Sequence, residues 1–178
     1  RICDSAESRR KEALELLSSN SALASFAKSP REFSAIIETA GVSPKEAFRL
    51  LGKKLMAEAF RANPERISKL LVKIGKSAGS DAHYAFHCLC IAPVTDAFCK
   101  DPEGITALLI GLSKLAGNRA GGAFYLLGKK GIANAFKAGP EFIISNLTRI
   151  LKSSGGETCI GYVLSLLANK HVGPLFAK

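Results

Sequence analysis

Apolar residues recur at intervals of three and four along most of this chain. In segments 64–78 and 102–116 the apolar positions are Ile67, Leu70, Leu71 and Ile74, and Ile105, Leu108, Leu109 and Leu112. This spacing places the apolar side chains on one face of an α-helix. Asn63 and Asp101 each precede a proline. Each pair provides a good N-cap residue followed by Pro at the first helical position. The pattern predicts helices near residues 30–40, 64–78, 102–116 and 140–154.

A second set of helices is predicted between and beside these. It covers residues near 12–26, 45–60, 81–98, 119–136 and 158–175. Pro93 and Pro174 fall inside two of these segments, and each predicts a kink or a split there. No segment alternates with period two, so we expect no β-sheet.

The helical pattern is repeated along the chain. The motif Phe-x-x-x-Pro begins at Phe26, Phe60, Phe98 and Phe136, and the chain ends just after a fifth Phe, Phe176. The steps between successive Phe residues are 34, 38, 38 and 40 residues. Residues 60–97 match residues 98–135 without a gap at 14 of 38 positions, and residues 47–60 match 123–136 at 10 of 14. Repetition at this period is typical of stacked helical units. We expect the first four Phe residues to be buried.

We therefore predict a single all-α domain, a right-handed α-solenoid of stacked two-helix repeats with a period of about 38 residues. Its units would be a partial unit 1–25, repeats 26–59, 60–97, 98–135 and 136–175, and the start of a further unit at 176–178. The chain resembles the broad class of HEAT, armadillo and tetratricopeptide α-solenoids, although it lacks the tetratricopeptide Trp-Leu-Gly-Tyr signature. Because it has no initial Met, we expect it to be part of a longer repeat protein.

Composition adds a cellular setting and a class of partner. The chain has 178 residues, 47% of them hydrophobic, and no apolar run as long as the ~18 residues of a membrane span. Its first ten residues lack the apolar core of a signal peptide. Five cysteines at irregular spacing indicate reduced thiols, so we expect a soluble intracellular protein without a membrane partner. A net charge of +10 favours an anionic partner, either nucleic acid or an acidic protein.

The basic residues follow the repeat. Lys76, Lys114 and Lys152 occupy the same position in three successive units. Further candidate binding residues lie one to three helical turns earlier or form a recurring pair: Arg66, Lys69, Lys73, Arg149, Lys53, Lys54, Lys129 and Lys130. Stacked units would align such residues into a ladder that can follow a phosphate backbone. The alternative is that lysines near a helix C-terminus only complement the helix dipole.

The one metal candidate is weak. His83 and His87 are spaced i,i+4 and share a helix face, but the Glu of an HExxH motif is absent. The alternative is that they are surface or groove histidines beside small core cysteines. No cofactor motif and no catalytic residue are predicted.

Three hypotheses for function follow. The first is a non-enzymatic recognition scaffold for an anionic partner, preferentially nucleic acid. The second is a protein- or peptide-binding adaptor of the HEAT or tetratricopeptide type. The third is an enzyme, either metal-dependent or acting in DNA repair. The chain resembles DNA alkyl-base glycosylases only in being helical and repetitive, and it has no Trp and only three Tyr to surround a lesion.

Overall fold

The computed structural model describes residues 20–40, 44–154 and 157–169, with residues 157 and 158 described in their backbone only. Regular structure in these ranges is helical, and none of these residues lies in a β-strand. The α-helices are α1 (Asn20–Lys28), α2 (Pro30–Thr39), α3 (Lys45–Gly52), α4 (Lys54–Ala62), α5 (Pro64–Ala78), α6 (Ala82–Leu89), α7 (Ala92–Lys100), α8 (Pro102–Ala116), α9 (Ala120–Leu127), α10 (Lys130–Ala138), α11 (Pro140–Ser153) and α12 (Glu157–Leu167). Short 3-10 turns, Gly79–Asp81 and Gly117–Arg119, precede α6 and α9. The protein is all-α, as the hydrophobic spacing predicts.

Helices α2, α5, α8 and α11 each begin at a proline and match their predicted ranges to within one residue. The side chains of Asn63 and Asp101 cap α5 and α8, because each accepts a hydrogen bond from a backbone N–H three residues later. Ser29 precedes α2 in the same way, but its hydroxyl donates to the carboxylate of Glu32 instead of capping the backbone.

The prediction of one continuous second helix is wrong for segments 45–60 and 119–136, whereas the split predicted at Pro93 in segment 81–98 is confirmed. The segments predicted at 45–60, 81–98 and 119–136 are each broken into two short helices, α3 and α4, α6 and α7, and α9 and α10. The backbone is extended at Lys53, Ile91 and Lys129, which occupy equivalent positions in the three units. Gly52 and Gly128 weaken the helix before two of the breaks, and Pro93 lies in the first turn of the helix after the third, which begins at Ala92. The structural unit therefore contains three helices. Residues 12–19 and 170–175 of two predicted helices lie outside the described residues.

The helices pack in three rows. Helices α2, α5, α8 and α11 form the first row, α3, α6, α9 and α12 the second, and α1, α4, α7 and α10 the third, with each helix against the next member of its row. Contacts between rows link consecutive helices, for example α5 with α4 and α6, and also link α1 with α3. The apolar side chains that face inward from the three rows form one continuous core.

The repeated phenylalanines are core residues in three units of four. Phe60, Phe98 and Phe136 have no exposed surface, as predicted. Phe26 is 37% exposed, so that part of the prediction is wrong. Its ring packs edge-on against Phe33, with 5.5 Å between centroids. Among the described residues, α1 is the first helix of its row, so it has one row neighbour instead of two.

A glycine ends both α5 and α8 in a conformation that other residues rarely adopt. Gly117 has φ 53° and ψ −126°, and Gly79 has nearly the same angles. We expect Gly117→Ala to lower the free energy of unfolding by about 1–2 kcal/mol, because the strain of a Cβ at positive φ is not relieved. Gly111→Ala makes the same chemical change inside α8, where a Cβ meets no atom within 4 Å, and it should raise stability by up to about 1 kcal/mol. Urea unfolding measures the stability of both variants. A loss of stability in Gly111→Ala as large as that in Gly117→Ala would contradict the explanation by positive φ at Gly117.

Candidate binding surfaces

Six basic side chains share the exposed surface of the first row, and we call this surface the lysine face. Its members are Lys69, Lys73 and Lys76 of α5, Lys114 of α8, and Arg149 and Lys152 of α11. All six are exposed, and none forms an ion pair with another residue in the part of the chain that the structure describes. Burying the opposite, apolar side of these helices fixes the direction in which the cations point.

Arg66 lies on the same surface of α5 but is already paired. Its guanidinium forms a two-pronged ion pair with Glu103 of α8, in the next unit. Hydrogen bonding to Arg66 lowers the pKa of the Glu103 carboxyl. The pair is exposed and contributes little stability, but it leaves Arg66 less available to an external anion than the six members of the lysine face.

The recurring lysine pairs lie elsewhere. Lys53 and Lys54 lie at the break between α3 and α4, and Lys129 and Lys130 lie at the matching break between α9 and α10. Three of the four are exposed, whereas Lys129 is half-buried, with its ammonium 4.0 Å from the centroid of the Tyr125 ring. The structure thus separates the candidate binding residues into two groups, one on the first row and one at the breaks between the second and third rows.

An apolar groove separates α8 from α11 within the first row. It encloses about 480 Å³ and is lined by Ala107, Leu108, Gly111, Lys114, Leu115, Ile144, Thr148 and Lys152. Two members of the lysine face, Lys114 and Lys152, therefore line one groove. Lys76 lines the corresponding groove between α2 and α5, which also contains Glu38.

The two histidines are not brought together with a third metal ligand. Nδ1 of His87 lies 3.2 Å from a carboxylate oxygen of Glu46 on α3, and Glu46 also pairs with Arg49. The His83 ring lies 4.1 Å from the Tyr84 ring, and its buried Nδ1 has no hydrogen-bond partner among the described residues. In the described ranges, no group of three His, Cys, Asp or Glu side chains is arranged to hold a metal ion.

A third groove, which the sequence pattern did not predict, lies on the second row between α6, α9 and α12. It encloses about 450 Å³, and we call it the tyrosine groove because Tyr84 of α6 and Tyr125 of α9 line it. Its floor is α9, where Gly121 and Gly122 replace the His83 and Tyr84 found one period earlier. That replacement is the signal in the sequence that indicates a missing layer of side chains.

Close packing explains why the floor is glycine. A Cβ added at Gly121 would lie 2.6 Å from Cδ2 of Tyr84, which is too close for any side chain without movement of the tyrosine ring. The Asp81 carboxylate accepts a hydrogen bond of 2.8 Å from the backbone N–H of Gly121. Arg119 crosses to α12, where its Nε is 3.5 Å from the position of a Cβ at Gly161.

No family model, curated protein or solved structure matches this chain. None of the described helices is long and apolar enough to cross a bilayer.

Proposed function

We propose that this protein is a non-enzymatic helical-repeat scaffold that binds an anionic partner, preferentially nucleic acid, through the lysine face. The observation that carries the proposal is that six exposed cations lie on helices of one row, with no ion pair to a described carboxylate. Cations that contact phosphates release condensed counterions, and this release drives binding. The net charge of +10 acts in the same direction.

The architecture that we propose for the scaffold is a right-handed α-solenoid with a period of about 38 residues, similar to the HEAT, armadillo and tetratricopeptide class. The three rows support it, because each helix packs on its counterpart from the neighbouring unit. In such a stack Lys76, Lys114 and Lys152 form a column. Packed helices lie ~8–10 Å apart, so each step of the column would span one or two nucleotides.

The dipole explanation accounts for only part of the lysine face. Lys76, Lys114 and Lys152 lie in the last turns of their helices, where a cation is favourable. Lys69 lies near the middle of α5, beyond the terminal turn in which the dipole acts. Its exposure on the same surface favours recognition of an external anion.

The test is a triple substitution. Lys76→Ala, Lys114→Ala and Lys152→Ala together should weaken binding to fluorescein-labelled RNA and DNA, single-stranded and double-stranded, in anisotropy titrations at several salt concentrations. We expect the slope of log affinity against log salt to become shallower by about 2–3 units, because each lysine that neutralises a phosphate accounts for about one unit. All three side chains are exposed, so the unfolding midpoint should change little.

The matched control removes an equal number of positive charges, three, from the third row. Lys28→Ala, Lys100→Ala and Lys137→Ala change the ends of α1, α7 and α10, where all three side chains are exposed and Lys137 forms an ion pair with Asp96. This variant should keep a salt slope close to that of the parent. An equal decrease of the slope in both triple variants, or no measurable binding by the parent, would contradict the proposal.

A second candidate function is supported by the groove between α8 and α11. Its floor is apolar and small, at Ala107 and Gly111, and Lys114 and Lys152 line the same groove. An acidic amphipathic helix or peptide would match both features. Under this adaptor hypothesis the parent would bind little nucleic acid at physiological salt, and substitution of Gly111 with Leu would block the peptide by filling the groove.

A further inference from the structure

The tyrosine groove has the surface chemistry of a stacking site. Tyr84 and Tyr125 are 39% and 46% exposed, whereas Phe86 and Phe124, on the same two helices, have no exposed surface. The third tyrosine of the chain, Tyr162, lies on α12 of the same row and is 74% exposed. All three tyrosines therefore lie on one row and keep ring surface available to solvent.

The charges at the groove favour an anionic ligand. Arg119 lines one wall, and the ammonium of Lys129 lies over the ring of Tyr125. The one acidic side chain among the described residues that line the groove is Asp81, and its carboxylate already accepts a hydrogen bond from the backbone N–H of Gly121. Hydrogen bonding to this backbone N–H reduces the repulsion that its carboxylate would exert on a phosphate.

We propose that the tyrosine groove binds single-stranded nucleic acid, with unpaired bases stacked on Tyr84 and Tyr125 and a backbone phosphate beside Arg119. Aromatic platforms beside cations bind single strands without sequence preference, because every base has a π-face. The ring of Tyr84 covers Gly121, whereas Gly122 is exposed and leaves that part of the floor open to a flat ring. Duplex bases are already stacked and paired, so they cannot enter without being extruded.

This inference rests on the proposed function in that the ligand is nucleic acid, but it concerns a different surface and a narrower substrate. The lysine face would attract single and double strands alike through their phosphates. The tyrosine groove would add affinity for unpaired bases only. The two surfaces can therefore be tested separately.

The experiment compares removal of the rings with removal of only their hydroxyls. Tyr84→Ala with Tyr125→Ala should weaken binding of labelled oligothymidylate by about 30-fold or more, because two bases would no longer stack on the protein. Tyr84→Phe with Tyr125→Phe keeps both rings and should bind within a few-fold of the parent. Tyr162→Ala, which removes the exposed tyrosine that does not line the groove, should leave affinity unchanged.

Intrinsic fluorescence gives an independent readout. The chain has no Trp, so its emission comes from three tyrosines, two of which line the groove. Oligothymidylate should quench the emission of the parent and of the Tyr162→Ala variant on saturation. A labelled blunt-ended duplex without unpaired bases should bind the parent and the double alanine variant equally, with the same salt slope.

The outcomes separate this inference from the proposed function. Equal affinity of the double alanine variant and the parent for oligothymidylate would overturn the tyrosine groove, and so would an equally weakened double phenylalanine variant. If the lysine-face variant still weakens both kinds of strand in that case, the proposed function stands alone. If the parent binds neither strand, both proposals fail. Circular dichroism and the unfolding midpoint establish that each variant is folded.

Discussion

Replacing Phe60 with alanine is expected to lower the free energy of unfolding by about 3–5 kcal/mol. The ring is fully buried near the end of α4, and its centroid is 6.3 Å from that of Phe33 in an edge-to-face arrangement. Truncation removes this buried apolar area and leaves a cavity where the third and first rows meet, and the rows can close such a cavity only in part. Urea denaturation followed by circular dichroism measures the change in stability.

Phe26 provides the matched control, because it occupies the same position of the repeat. It is 37% exposed, so Phe26→Ala should cost only about 1–2 kcal/mol. Equal destabilisation in the two variants would show that burial in the third row does not determine how much the repeated Phe contributes to the free energy of unfolding. Destabilisation by less than about 1 kcal/mol in Phe60→Ala would contradict its place in the core.

Raising the pH from 8 to 10 is expected to lower the free energy of unfolding by about 3 kcal/mol through two buried thiols. Burial raises the pKa of the Cys88 thiol far above its ordinary value of 9.0. Burial, and to a smaller extent the nearby Glu46, raises the pKa of Cys90 to about 12. Above pH 9 the unfolded chain loses these protons while the folded chain keeps them. The contribution of the two protonated thiols to the free energy of unfolding is therefore complete below pH 9 and is lost progressively as the pH rises toward 12.

The test compares the pH dependence of variants rather than their absolute stability. Cys88→Ala with Cys90→Ala will be less stable at pH 8, because both side chains are buried, but its stability should fall less between pH 8 and pH 10 than that of the parent. Cys159→Ala removes an exposed thiol and should behave as the parent does. Titration of lysines and tyrosines contributes to all three proteins and cancels in the comparison. An identical decline in the double variant would contradict the assignment to the thiols.

Local patterns were enough to predict the helices of the first row. A proline with a capping residue before it, a glutamate in the first turn and apolar residues three and four apart all act within one helix, so the bounds of α5 and α8 follow from neighbouring residues. The repeated Phe likewise predicted the buried positions at Phe60, Phe98 and Phe136, since an equivalent position in a packed unit has an equivalent environment.

The breaks in the second helices were only partly predictable. Pro93 indicated one break, but Gly52 and Gly128 are tolerated inside many helices and gave no comparable signal. The extended residues Lys53 and Lys129 are good helix formers by themselves. Their conformation follows from the packing of α4 and α10 on their neighbours within the third row, where tertiary contacts outweigh local propensity.

The residue pattern was enough to predict that the protein is helical, where the first-row helices begin and end, and that its basic residues recur with the repeat. Which of these basic residues are available to a partner depends on contacts between helices. Arg66 pairs with Glu103, 37 residues away, while Lys69 remains exposed on the same helix. The tyrosine groove depended on the tertiary structure even more. Tyr84 and Tyr125 occupy different positions of the repeat, so no periodicity in the sequence links them. They line one groove because α6, α9 and α12 pack side by side and because α9, the middle helix, has no side chains at Gly121 and Gly122.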